Sequence, residues 1–486
     1  MVPTLPLAKI RNSVRLGAQN GPFPGLPDSG RAVRDRDTPI APNVAPTIAP
    51  TIARLANRDR SVMLSAHTGP PGVRVWTPAL AEPACRLCGA RLHQTLIDLG
   101  YVPLANRTLA PEDTGDPFHR LHARICDNCS LVQVGDAAAP DAIATPWPGL
   151  SARSPAALAQ ARRFAEMMRR RFRLTHESQV IEIGSDDGAL LRSFQSAGIQ
   201  VLGIEPRQAA ANAAIEAGIP TAISLFNTGT AMDIAVRTGC ADLVIANNVL
   251  PHAPDLFDFA AGLASILRPN GVLSLQVPHL LALVQKTQFD AFRHDVYTYL
   301  SLRVIEHVLR SVGLRAFDAE RLPDHGGSVR VLACHVVGPH ATRPGLKAVR
   351  VAETFGERER RDFYTGFSDR AAAIRGEIRA FLQTRRAGGR RVAAYGVATR
   401  GTMLLNCCGI TTDEIACVAD PDPAKFGRVL PASRIPVVPP DALAGDPPDD
   451  LLILPWPQAA EIALRLAPLR QRGTQLWTAL PRIVRV

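Results

Sequence analysis

The chain lacks any run of about 18 consecutive apolar residues, so no segment reads as a membrane-spanning helix and no membrane partner is expected. It also lacks a continuous apolar stretch behind Lys9, Arg11 and Arg15, so a secretory signal is not expected and the compartment should be cytoplasmic. Cations are sparse between Cys85 and Cys129. The formal net charge is +11, but residues 1–80 hold ten Lys/Arg against four Asp, in a stretch with twelve prolines. More than half of the basic excess therefore falls where little could fold, and the mildly basic remainder argues against a nucleic-acid partner. The first glycine loop lacks the G-x-G-x-x-G spacing that lets bare backbone approach a pyrophosphate.

What stands in its place organises the chain. Residues 179–205 read QVIEIGSDDGALLRSFQSAGIQVLGIE: a β-branched run, a loop with glycines spaced G-x-x-x-G, a helix with Leu190, Leu191 and Phe194 inward, and a second strand ending on an acid. This is a mononucleotide-binding half-unit. Two carboxylates in the loop would repel a diphosphate but suit a cationic head, which describes S-adenosylmethionine, with Glu205 placed to accept from a ribose diol. The expected cofactor residues are Glu182, Gly184, Asp186, Asp187, Gly188, Glu205, and Asn247 and Asn248 at the end of a later buried strand.

Ahead of this unit lie two C-x-x-C turns, Cys85 with Cys88 and Cys126 with Cys129. Each turn sets two thiolates on one side of a tight loop, and two turns complete a tetrahedral structural zinc site. One such pair alone would also suit thioredoxin-like redox chemistry; two argue against it. The succession predicts a disordered extension (1–80), a zinc-binding module (81–150), an α/β cofactor domain (151–340), a helical connector (341–389) and a second, Rossmann-like α/β domain (390–486). Within the second unit, the Gly396–Gly401 loop carries Arg400 and no acid, so it could meet a phosphate.

These signals, in this order, resemble the class I S-adenosylmethionine-dependent methyltransferases, and more specifically the three-domain, zinc-containing C-methyltransferases of nucleotide-linked 4-keto-deoxysugars. The likeness rests on CRLCG, CDNCSLVQ, DLGYVPLANR, VIEIGSDDGALL, GIEP, IANNVLPH, HGGSVRV, AYGVATRGTMLLN and LILPW. It implies a small nucleotide-sugar substrate held with help from the second α/β unit, where Gly396, Arg400 and Asn406 are the expected contacts, together with His325; Arg293, a departure from the family pattern, would pair a carboxylate or phosphate of the acceptor, and the sequence does not set the oligomeric state, monomer or dimer. It also implies catalysis by His252 and by a Tyr-His-Glu-His motif, which here reads Arg293, His294, Asp295, Val296. Arginine replaces the tyrosine and valine the expected base, leaving His252 or His294 as base with Asp295 as orienting partner. Alternatives are a different acceptor, cofactor binding with weakened catalysis, or a nucleic-acid-binding zinc-module protein.

Overall fold

A computed structural model describes residues 64–66, 76–78, 83–105, 107–135, 155–358 and 363–486. Most of the extension expected to be disordered lies outside them. Within the extension, β1 (Leu64–Ala66) pairs antiparallel with β2 (Trp76–Pro78).

The zinc module forms an antiparallel sheet from β3 (Gln94–Pro103), β4 (Phe118–Ile125) and β5 (Val132–Val134). The amphipathic pattern of residues 155–172 gives α1 (Pro155–Phe172), with Phe164, Ala165 and Met168 buried. Its basic end is an ion-paired surface: Arg169 and Arg170 meet Glu166, and Arg171 meets Asp318.

The seven-stranded sheet begins with β6 (Gln179–Ile183), buried at all five positions, as expected for a strand covered on both faces. The helix α2 (Ala189–Gln195) returns the chain to β7 (Gln200–Ile204), followed by β8 (Thr221–Ala222), β9 (Ala241–Asn247) and β10 (Leu267–Pro278). These five strands are parallel. The expected hairpin, β11 (Leu314–Leu322) and β12 (Ser328–His335), closes the sheet antiparallel to β10. The spatial order is β11-β12-β10-β9-β6-β7-β8. It reverses between β6 and β9, so a crevice opens at their carboxyl ends, where open α/β sheets take ligands.

The predicted connector is two helices, α3 (Pro344–Arg358) and α4 (Phe367–Ala387), with residues 359–362 outside the description. A second sheet follows, built around β13 (Val392–Tyr395) and its parallel partner β14 (Asp450–Ile453), again with a reversal of order between first-half and second-half strands. The segments interlock. Thr298–Tyr299, from beyond β10, adds a fourth strand to the zinc-module sheet. One apolar cluster joins Leu121 and Val132 of that sheet, Phe292, Phe367 of α4 and Leu452 of β14. Residues 292–299 are thereby clamped between the modules, which fixes the segment that carries Arg293 and Asp295.

Candidate active site

The loop after β6 is shaped by close approaches that only glycine permits. A Cβ on Gly184, at φ +69°, would lie 2.3 Å from Val249 Cγ1, and one on Gly203 would lie 2.4 Å from Ser185 Oγ. The backbone thus runs tight against β7 and β9, and four carboxylates gather around it. Glu182 is buried, and burial together with Asp186, Asp187 and Glu205 pushes its carboxyl well above the ordinary range. Its Oε2 has no hydrogen-bond partner among the described residues. Such crowding of acids fits a cationic cofactor and disfavours a diphosphate. Glu182, Asp186 and Asp187 are the residues that would meet the cation.

Glu205 is fully buried, and its oxygens are already engaged. It accepts from the Asp186 N–H at 3.0 Å, the Arg207 N–H at 2.9 Å, Arg207 Nε at 2.6 Å and Arg207 Nη2 at 3.1 Å. Those four donors fill the lone-pair positions of one carboxylate. A ribose diol must share or displace them. The sequence reading missed Arg207, although its place two residues after the acid was a usable signal.

At the end of β9, Asn247 and Asn248 have buried side-chain oxygens without partners among the described residues. Asn248 adopts φ +59°, with its N–H donated to Gln276 O at 2.7 Å. Four residues on, His252 faces the crevice with its side chain 39% exposed. Its Nδ1 lies 2.5 Å from the Asp295 carbonyl oxygen. A carbonyl can only accept, so Nδ1 carries the proton and Nε2 is left as the basic nitrogen. Burial by the crevice walls lowers the His252 pKa; Asp295 opposes this and Arg293 and Arg207 add to it. The ring is therefore neutral at neutral pH. Arg293 Nε and Nη2 each donate to Asp295 at 3.0 Å, a bidentate pair.

His294 does not join this group. It is 2% exposed, turned onto β4, with Nε2 donating to His119 O at 3.2 Å, and burial lowers its pKa to about 4. The alternation of direction along an extended segment sends residue 294 away from the crevice that its neighbours face. Val296 is likewise buried in the apolar cluster.

Arg400, expected to meet a phosphate, is turned inward instead. Its Nε and Nη2 grip Asp290 at 2.8 and 2.7 Å, Nη2 also reaches Gln288 Oε1 at 3.0 Å, and Nη1 donates to His325 O at 2.9 Å. Asp290 is 1% exposed and takes a further bond from Trp456 Nε1 at 3.0 Å. The guanidinium is spent on holding the second α/β unit against residues 288–325. Gly396, at φ +90°, lets Pro455 close in at 2.5 Å from where a Cβ would sit, and the Asn406 amide is buried without partners among the described residues. His325 stands in a strained turn at φ +55°, its Nε2 3.5 Å from Asn248 Nδ2.

The four knuckle sulfurs of Cys85, Cys88, Cys126 and Cys129 lie within 4.8 Å of one another. Both turns close the same way, with Gly89 and Ser130 at positive φ donating to Cys85 O and Cys126 O. Gln133 Nε2 donates to Cys85 Sγ at 3.1 Å, orienting the ligand set for zinc. The knuckle also touches the loop that carries His252. Arg86 Nη1 donates to Pro254 O at 3.3 Å and its guanidinium stacks 4.9 Å over Tyr297, whose N–H bonds Pro251 O.

Comparison with known proteins agrees with this construction. Residues 85–143 match the description of a zinc binding domain, 157–318 that of a methyltransferase domain and 323–481 that of a C-methyltransferase C-terminal domain. The chain is 32% identical to the C-methyltransferase NovU of Streptomyces niveus over 380 residues, 78% of this chain and 90% of the relative. It is 25% identical over 96 residues to methyltransferase ML2584 of Mycobacterium leprae (strain TN), covering 20% of this chain and 35% of that protein. Among solved structures, magnesium protoporphyrin IX methyltransferase from Synechocystis PCC 6803 with bound SAM is similar at 16% identity and TM-score 0.28, over 37% of this chain and 79% of that one. The chain belongs to the C-methyltransferase family, as an S-adenosylmethionine-dependent enzyme with a structural zinc module before its methyltransferase sheet.

Proposed function

We propose that the enzyme methylates a carbon next to the ketone of a nucleotide-linked keto-deoxysugar, with His252 as the base. The observation that supports this most is the His252 ring, open to the crevice, neutral, and fixed by the Asp295 carbonyl so that Nε2 points its lone pair outward. S-adenosylmethionine, when bound, supplies an electrophilic methyl group on a sulfonium. His252 Nε2 takes the acidic C–H proton and the electron pair left behind moves onto the carbonyl oxygen; the carbon then forms its new bond to methyl as the methyl–sulfur bond breaks, the electron pair of that bond staying on sulfur as a neutral thioether that leaves, and the ketone is restored. Asp295, paired with Arg293, sits 3.8 Å from His252 Nδ1 and stabilises the imidazolium that forms. The relationship to the C-methyltransferase NovU supports transfer to carbon, and the buried Asn406 amide of the second α/β unit, without partners among the described residues, supports a polar acceptor.

The test is incubation of the enzyme with S-adenosylmethionine and a thymidine-diphosphate-linked 4-keto-6-deoxyhexose. A mass gain of one methyl, located on carbon by NMR, is expected. His252→Ala should keep cofactor affinity and lose roughly 10²–10⁴-fold in turnover. Methyl on oxygen or nitrogen, or undiminished turnover in the variant, contradicts the assignment.

A further inference from the structure

A base works only if its lone pair is aimed, and a free imidazole side chain prefers its proton on Nε2, the nitrogen that must be bare here. Which nitrogen carries the proton is set by the bond the other one makes. His252 Nδ1 keeps its proton by resting against the Asp295 carbonyl oxygen at 2.5 Å, so the spacing between the His252 loop and the 292–299 segment sets the tautomer. Local turns shape that loop, His252 N–H bonding Val249 O at 2.9 Å and Ala253 N–H bonding Leu250 O at 3.1 Å. Prolines stand on either side of the histidine, and the carbonyl of each is taken from outside the loop. Tyr297 N–H donates to Pro251 O at 2.9 Å, and Arg86 Nη1 to Pro254 O at 3.3 Å. Arg86 and Tyr297 are themselves joined, guanidinium over ring at 4.9 Å. Both are rooted in the zinc module. Tyr297 O accepts from Val134 N–H at 3.1 Å, while Gln133 holds Arg86 N–H at 2.9 Å through Oε1 and Cys85 Sγ at 3.1 Å through Nε2. The knuckle, the 292–299 segment and the His252 loop therefore meet at one guanidinium.

Resting on the reading of His252 as the base, we propose that Arg86 is its positioning residue: the guanidinium, stacked on Tyr297 and bonded to Pro254 O, holds the His252 loop against the 292–299 segment, so that Nδ1 stays on Asp295 O and Nε2 stays bare toward the crevice. Arg86 touches no reacting atom. Its contribution is geometric, and a misplacement of about 1 Å at a reacting group can cost on the order of 10²-fold in rate. Arginine suits the task because one planar group can lie flat on a ring while an N–H at its edge donates sideways; a lysine ammonium, a point charge on a flexible stem, lacks that fixed plane. The cysteine turn thereby has a second duty. Beside the thiolates that close the module, it carries the side chain that keeps the base aimed.

The experiment uses the full zinc-loaded chain with isotope-labelled histidine, read by nitrogen NMR at neutral pH; the His252 signals are those lost in His252→Gln. Ring nitrogen shifts report the tautomer with no acceptor present. Wild type should carry its proton on Nδ1. Arg86→Met keeps the apolar stem and the backbone N–H that Gln133 holds, so zinc content and S-adenosylmethionine affinity should match wild type while the His252 proton moves mainly to Nε2. Methyl transfer to the keto-sugar should fall roughly tenfold in that variant, with Arg86→Lys in between. Tyr297→Leu removes the other half of the same brace, so the double variant should lose no more than about twofold beyond the larger single loss. A His252 ring that stays on Nδ1–H in Arg86→Met overturns the proposal, as do fully additive losses or a loss of zinc in step with turnover. Should the keto-sugar prove not to be the acceptor, the tautomer of the Met variant still decides for or against the brace. A wild-type ring already protonated on Nε2 refutes the His252 assignment itself, and the positioning role with it.

Discussion

Removing the Arg400 guanidinium isolates a buried charge. Asp290 is 1% exposed and Arg400 18%, and the two are joined at 2.7 and 2.8 Å. In Arg400→Met the carboxylate keeps only the Trp456 indole N–H at 3.0 Å. Deleting one partner of a buried pair costs about 3–5 kcal/mol, and the residual exposure of Arg400 puts this case near about 3. Spread over a cooperative unit of 150–250 residues, the thermal midpoint should fall by roughly 6–12 °C. Tryptophan emission is the direct assay, since the Trp456 ring lies 5.1 Å from the guanidinium carbon. Adding Asp290→Asn removes the stranded charge while keeping an acceptor for Trp456. Most of the loss should return, giving a coupling of about 2 kcal/mol or more in the double-mutant cycle. Arg400→Lys keeps the charge but not the fork, and should fall between. Additive effects of the Met and Asn substitutions, within about 0.5 kcal/mol, refute the reading of Arg400 as a clamp.

The purified chain should hold about one zinc, lost together with part of the fold's stability in Cys85→Ser; elemental analysis and thermal melts check both, and a metal-free variant as stable as wild type contradicts the structural role. Glu182 has a raised folded pKa, so the stability it contributes is whole below the ordinary glutamate range and is lost as pH rises through the folded value. Glu182→Gln should accordingly raise the melting midpoint at pH 8, leave it unchanged near pH 4, and weaken cofactor binding by calorimetry; equal shifts at both pH values count against it. Arg207→Ala frees the fully buried Glu205 carboxylate from its partly exposed arginine and should tighten S-adenosylmethionine binding by roughly fivefold, about 1 kcal/mol. Weaker binding would mean that Arg207 itself contacts the cofactor.

Much of the scaffold was legible because its causes are local. The β-branched run before Gly184, the glycine spacing and the acid at residue 205 each write strand, loop and strand tip into a few residues, and β11 and β12 fall where the alternation placed them. The two knuckles follow from thiol spacing alone. What could not be read is which distant groups meet. Arg400 and Asp290 are 110 positions apart, and nothing in either neighbourhood announces the other. The same holds for Arg86 with Pro254, 168 apart, and for the five side chains, Gln160, Gln276, Lys286, Gln288 and Arg400, that brace the turn at His325. His294 and Asp295 look equally available in FRHDVY. Only the clamping of residues 292–299 between sheets decides that one is buried against His119 and the other faces the crevice.

That clamped segment also explains how arginine can stand where the resembled family has tyrosine without poisoning His252 as the proposed base. A lone guanidinium near His252 would hold the imidazole neutral so strongly that it became a poor proton acceptor, while a lone Asp295 would favour the charged ring and leave no base at neutral pH. Bound to one another at 3.0 Å, the two nearly cancel, and burial is left as the main influence on the His252 pKa. Two substitutions separate the opposing charges. Arg293→Gln leaves Asp295 uncompensated, so the acidic limb of the methyl-transfer pH profile should move to higher pH. Asp295→Asn leaves Arg293 uncompensated, so the same limb should move to lower pH. Opposite displacements from two residues that touch each other identify the titrating group as the one between them and the crevice, His252. Should both variants shift the limb the same way, or neither shift it while turnover persists, the proton is taken by another group and the mechanism built on His252 fails.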